Sequence, residues 1–175
     1  QSKIMPIRVL NSNGVGNTYD VIKAINYAVD NGADIINLSF VGDLFDRQLE
    51  KTLVNAYEKG VVVVVAAGNQ DFFGNTVDLD LEKLYPVCHQ GPEDENILLG
   101  VAATDQANKL AEFSSYGSSC IDLAAPGQDF WGTTLHNDLV EEIEDYYGGD
   151  FSGTSLATPI VAGVAALIKA KDQSL

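Results

Sequence analysis

Residues 61–69 read Val61-Val62-Val63-Val64-Val65-Ala66-Ala67-Gly68-Asn69. β-Branched residues favour extended backbone, and a run with no polar alternation is the pattern of a strand covered on both faces, as in a parallel sheet. The segments before it fit that frame. Asp46 caps a predicted helix over 47–59, with Leu49, Leu53, Val54 and Tyr57 on one face and Gly60 as its stop. Residues 34–39 read as a short apolar strand. Thr18 caps a helix over 19–31, in which Val21, Ile22, Ile25, Ala28 and Val29 recur at helical spacing and Gly32 ends the pattern. Residues 4–10 read as the first strand, running into the turn-rich Asn11-Ser12-Asn13-Gly14. Strand–helix–strand–helix–strand within 67 residues predicts right-handed crossovers and a parallel sheet. Downstream, 97–103 and 121–125 add two strands, shorter β pieces fall around 130–135 and Phe151, and a helix runs from Ser155 to about Lys169. No internal repeat or low-complexity linker divides the chain.

The 175 residues are 46% hydrophobic and 20% charged, the profile of one globular domain with a real core. With 25 acidic against 10 basic residues the formal net charge is −15, which argues against nucleic acid as a partner. The apolar run 61–67 is too short to cross a bilayer, so no membrane span is expected. No signal peptide opens the sequence, and Gln1 is not a start methionine. Acids gather in 78–95 and 138–150. Cation binding and solvated loop surface both account for them; the second is preferred, and no EF-hand spacing is present. Cys88 and Cys120 form no C-x-x-C pair, and His89 and His136 belong to no H-E-x-x-H motif.

Residues Gly153-Thr154-Ser155-Leu156-Ala157-Thr158-Pro159 place a serine in the first turn of the last helix. Two readings stand. An N-cap serine on an ordinary core helix is one. The other is a nucleophile placed where unpaired helix N–H groups and the positive end of the dipole can hold an oxyanion. In open parallel sheets, sites gather beyond the carboxyl ends of the strands. There the chain carries Leu38-Ser39-Phe40-Val41-Gly42 and Gly68-Asn69, on the rim that the Ser155 helix would meet.

The segment Ala66-Ala67-Gly68-Asn69 after a valine strand, with Gly153 to Pro159 opening a small-residue helix through 161–167, resembles the subtilases, the subtilisin-like serine peptidases. So do Ile35-Ile36-Asn37-Leu38-Ser39, Phe113-Ser114-Ser115-Tyr116-Gly117 and Leu123-Ala124-Ala125-Pro126-Gly127, in the expected order along nearly the whole chain. The resemblance implies an α/β, three-layer fold with a mostly parallel sheet. It makes Ser155 the nucleophile and Asn69 the side-chain donor to the oxyanion, beside the Ser155 N–H. Ser39, Phe40 and Val41 would pair with an extended substrate, and Ala66, Ala67 and Gly68 would wall its specificity pocket. Val41 stands where the family commonly has glycine, which implies a narrower approach. Leu156 replaces the common methionine, a volume-conserving change.

The family's Asp motif and its His-Gly-Thr motif are nowhere in the chain, and neither His89 nor His136 has the right context. Residues 1–175 therefore read as a partial catalytic domain, its carboxyl-terminal part, truncated at both ends. The loops holding Cys88 and Cys120 approach each other in subtilases and often share a cation, so the resemblance implies a disulfide as staple, against two unpaired thiols; metal ligands stay unassigned. The function implied is a serine endopeptidase working through an acyl-enzyme on Ser155. It needs no cofactor for catalysis and leaves room for structural calcium. The expected partners are polypeptide substrates and a propeptide or amino-terminal segment, and the expected location is extracellular or the cell envelope. The alternatives are a non-catalytic module of the same fold that binds peptides or serves a structural role, and a nucleotide-binding doubly wound domain. The last lacks G-x-G-x-x-G after its first strand.

Overall fold

The computed structural model describes residues 2–71, 73–134 and 145–172. The valine run forms β2 (Val62–Ala66), between β1 (Ile35–Leu38) and β3 (Leu99–Thr104), with β4 (Leu123–Pro126) beyond β3. All pairings in this sheet are parallel, with Ile35 beside Val62, Val64 beside Leu99 and Val101 beside Leu123. The helices are α1 (Thr18–Asp30), α2 (Arg47–Glu58) and α3 (Thr154–Lys171). Successive residues of a strand point to opposite faces, and β2 uses both. Val63 and Val65 join the core of α1 and α2 with Ile25, Leu53 and Ala56, whereas Val64 joins Val101, Ala103, Ala157 and Val161 beneath α3. Each valine so buried contributes about 1.5–3 kcal/mol. The result is the expected three-layer arrangement, α1 and α2 on one face of a parallel sheet and α3 on the other. β5 (Phe130–Thr133) and β6 (Tyr147–Phe151) form a separate antiparallel pair; Leu135 and His136 lie outside the described residues.

The helix boundaries follow local chemistry. Asp46 caps α2 as expected, accepting from the Gln48 and Leu49 N–H groups at 2.8 and 2.9 Å. At α1 the cap is Asn17, one residue before the predicted Thr18. Its amide oxygen accepts from Asp20 N–H at 2.9 Å while its NH₂ donates to the Asp20 carboxylate at 2.7 Å. Asparagine spans the two Asp20 groups with separate atoms, its oxygen meeting the N–H and its NH₂ the carboxylate. Gly60, at φ 75°, turns the chain out of α2 straight into β2.

The strand predicted at 4–10 does not form. Leu10 makes only an isolated bridge to Gly16, Ile4 is 93% exposed, and Ile7 and Val9 lean on the core from outside. Apolar β-branched composition supplies propensity, but a strand exists through its ladder, and no described segment pairs with 4–9. The membrane expectation also needs amending, because it considered only 61–67. By length and composition α3 is long and apolar enough to cross a bilayer, with a mean hydropathy of 1.2. Its first half is nevertheless committed to the sheet, with Ala157, Thr158 and Val161 buried, while Val164, Leu167 and Ile168 face outward.

Cys88 and Cys120 are joined in a disulfide, with Cα atoms 4.9 Å apart. It ties the 78–89 segment to the 114–120 segment, and Asp80 fastens the same pair of loops. The Asp80 carboxylate accepts from the Ser118 N–H, the Ser118 hydroxyl and the Ser119 N–H at 2.8–3.0 Å, which holds it well below the usual carboxylate range. One acid of the first acidic stretch is thus a structural acceptor, not merely solvated surface. Among the described residues no group of three or more His, Cys, Asp or Glu side chains is arranged for a metal ion. That observation leaves structural calcium open. Because the disulfide closes a loop of 32 residues, its reduction should lower the unfolding free energy by about 3–4 kcal/mol in the chain-entropy treatment. Urea unfolding with and without reductant measures this, and an unchanged midpoint would contradict it.

Candidate active site

The site is built where β2 ends and α3 begins. Beyond Ala66 the chain turns at Gly68, whose φ of 97° suits glycine, and presents Asn69 on the surface. Across from it, Gly153 is the N-cap of α3, followed by Thr154 and then Ser155. Thr154 ties the two together. Its N–H donates to Asn69 Oδ1 at 2.9 Å, its hydroxyl donates to the same oxygen at 3.1 Å, and that hydroxyl accepts from the buried Gly68 N–H at 3.2 Å. Two donors on one side of the Asn69 amide identify that side as oxygen, so the NH₂ points the other way; among the described residues it has no acceptor. A Cβ on residue 153 would lie 3.3 Å from Asn69 Nδ2. A glycine at 153 therefore keeps the space beside that NH₂ open.

The turn is held from below by the 113–117 segment. Ser115 N–H donates to Gly68 O at 3.0 Å, and Asn69 bridges Ser114. The buried Ser114 hydroxyl accepts from Ala103 N–H in β3 and donates to Ser115 O, each at 3.0 Å. The sequence reading used this segment only as a mark of resemblance. Its work is to carry the sheet's position to the Gly68–Asn69 turn. The signal available in sequence was two adjacent serines after an aromatic residue, too common to interpret alone.

Ser155 is exposed, and its Oγ donates to Ser39 O at 3.2 Å. In return the Ser39 hydroxyl donates to Ser155 O, also at 3.2 Å. That carbonyl is free because Pro159, four residues on, has no N–H to offer it. The N-cap reading of Ser155 therefore fails: the cap position is Gly153, and the serine hydroxyl turns outward to a neighbouring strand. Its own N–H sits in the first helical turn, where amides lack intrahelical acceptors and the dipole is positive. The structure thus brings Ser39, Gly68, Asn69 and Ser155 to one rim of the sheet. Phe40 and Val41 continue past β1, half-buried against the core, and Ala66, Ala67 and Gly68 are buried behind them.

His89 is elsewhere. It is buried at 3% exposure between the rings of Phe45 and Tyr85, at centroid distances of 5.2 and 4.7 Å. Neither ring nitrogen has a hydrogen-bond partner among the described residues, and Nδ1 lies 3.9 Å from a Glu50 carboxylate oxygen. Burial pulls its pKa down to about 4, against the opposing influence of Asp46, so it is a neutral aromatic at pH 7. Among the described residues no imidazole contacts Ser155.

Residues 1–175 match the family model described as the subtilase family, and the chain belongs to that family. It is 36% identical over 173 residues to a thermophilic serine proteinase of Bacillus sp. (strain AK1), covering 99% of this chain and 37% of that protein. It is 36% identical over 174 residues to thermitase of Thermoactinomyces vulgaris, covering 99% of this chain and 54% of that protein. A solved cold-adapted subtilisin-like serine proteinase superimposes with a TM-score of 0.75 at 29% identity, covering 94% of this chain and 52% of the other. The chain thus spans between 37% and 54% of the length of these curated relatives.

Thr154→Val should strand the buried Gly68 N–H and release one hold on Asn69, costing about 1–3 kcal/mol in unfolding free energy by denaturant titration. His89 predicts a pH dependence. Its folded pKa lies below that of the unfolded chain, so as pH falls from about 6.5 towards 4 the unfolded state gains a proton that the folded state resists. Stability should be complete above that window and decline through it by up to roughly 3 kcal/mol. His89→Phe should flatten this part of the profile; an unaltered slope would exonerate the histidine.

Proposed function

We propose that this chain carries the nucleophile and the oxyanion donors of a serine endopeptidase, and that residues 1–175 are part of its catalytic domain. The observation that supports it most directly is the fixed orientation of Asn69. With its oxygen held by Thr154, the amide NH₂ is left to donate at the rim where Ser155 sits in the first turn of α3. In the proposed reaction Ser155 Oγ leaves the Ser39 carbonyl, passes its proton to a general base and attacks the carbonyl carbon of a polypeptide substrate. The oxygen of the tetrahedral intermediate becomes an anion, met by the Ser155 N–H and Asn69 Nδ2. Donors set before the charge appears stabilise the transition state without reorganising. Collapse breaks the C–N bond as the base returns that proton to the leaving nitrogen; water then attacks the acyl-enzyme, gives its proton to the base, and the Ser155 hydroxyl is restored.

A serine hydroxyl at its ordinary pKa is a poor nucleophile, so the site needs a base. His89 is buried in an aromatic nest and does not serve. We assign the histidine and its orienting aspartate to polypeptide outside these 175 residues. Ser39, Phe40 and Val41 form the edge along which an extended substrate lies, and Ala66, Ala67 and Gly68 the wall beside its side chain. Catalysis needs no cofactor. The disulfide fits an extracellular or cell-envelope setting, where such bonds persist. A propeptide or amino-terminal segment would be the natural further partner.

In the protein that carries this chain with its base and aspartate, Ser155→Ala should abolish peptide hydrolysis. Asn69→Ala should lower kcat by about 100–1,000-fold with little change in KM; that magnitude is the effect seen for subtilisin's own oxyanion asparagine. A wild-type protein that binds peptides without cleaving them, and is not labelled at Ser155 by a fluorophosphonate, would point instead to a non-catalytic peptide-binding module.

A further inference from the structure

We propose that Val41 and Leu84 limit the substrate side chain next to Ser155, so that this site takes a small, uncharged residue on the acyl side of the cleaved bond. The inference rests on the peptidase reading above. A carbonyl carbon attacked by Ser155 Oγ, with its oxygen towards Asn69, places the side chain of that residue between the two segments that flank the nucleophile. One is 39–41, tied to Ser155 by the paired Ser39 hydrogen bonds. The other is 66–68, tied to Thr154 through the Gly68 N–H.

Side chains from the core reach into the space beside Gly68. A Cβ built on Gly68 would lie 3.1 Å from Leu84 Cδ1, 3.1 Å from Val41 Cγ2 and 3.6 Å from Ser115 Oγ. Two branched aliphatic side chains thus converge on the wall residue that has no side chain of its own. Neither is free to swing away. Leu84 is buried in the α1–α2 core, its carbonyl accepts from Cys88 N–H, and the next residue is locked by two hydrogen bonds between Tyr85 and Gly42. Val41, half-buried, packs on the same core one residue before that lock. Moving such groups aside to admit a ring disturbs close-packed surroundings. None of Val41, Gly68, Leu84 and Ser115 carries a charge to pair with a charged side chain, and burying an unpaired charge is costly.

In the protein that carries this chain with its base and aspartate, the test compares kcat/KM for peptides that differ only in the residue supplying the scissile carbonyl, with alanine, phenylalanine or lysine there. Alanine should exceed phenylalanine and lysine by about 10–100-fold. Val41→Gly should raise the phenylalanine-to-alanine ratio by about tenfold or more, and Val41→Ala by less, the milder variant serving if the glycine one folds poorly. A merely structural role for Val41 would lower all substrates together and leave the ratio fixed. That result, or a wild-type preference for phenylalanine, overturns the proposal. If no peptide is cleaved, the peptidase reading fails separately. The affinities of the same peptides for the Ser155→Ala protein then judge the pocket: tighter binding of the alanine peptide supports the inference, and equal or reversed binding sinks it.

Discussion

The oxygen of the Asn69 side chain, bound by both the amide and the hydroxyl of Thr154, is the interaction on which the rest of the site depends. It joins residues 85 positions apart in sequence and fixes the end of β2 against the start of α3. Without it the asparagine would be a surface side chain free to rotate. With it, one half of the amide is consumed by structure and the other half points away from that contact. The Thr154 hydroxyl also satisfies the Gly68 N–H, so a single oxygen answers a buried donor and orients a surface one. Such doubly used groups are fragile, because loss of one partner leaves another unsatisfied in a low-dielectric interior.

Much of the fold was legible because β2 has no polar alternation. Continuous valine asks for cover on both faces, a condition that a parallel sheet between two helical layers meets. The helices α1 and α2 followed from periodicity and their stopping glycines, and the disulfide was implied by the family resemblance. What failed was the segment 4–10, whose residue types favour a strand but whose ladder depends on what lies beside it. No reading of local composition supplies a partner. The first cap shifted by one residue for a gentler reason: Asn17 and Thr18 are both good caps, and only geometry shows which one meets Asp20.

For the site, the positions of Ser39, Asn69 and Ser155 on one rim could be anticipated from strand ends and helix starts. The role of Thr154 could not, since a threonine between a glycine and a serine gives no sign of reaching across to another strand. His89 was equally silent. Its surroundings come from α2 and from the Tyr85 turn, and its neutrality is a product of that burial. The acidic stretch was misjudged in part because charge counts do not reveal which carboxylate meets a row of N–H groups, as Asp80 does.

Pro159 has a consequence for how position is measured in this protein. In an uninterrupted helix the Ser155 carbonyl would be closed by its own fourth neighbour, and the helix alone would define where the serine stands. Here that carbonyl is answered by Ser39, just past the end of β1. The ruler for Ser155 is therefore the sheet. The gap in the helical ladder thus ties residue 155 to the segment that follows β1 as well as to its own helix.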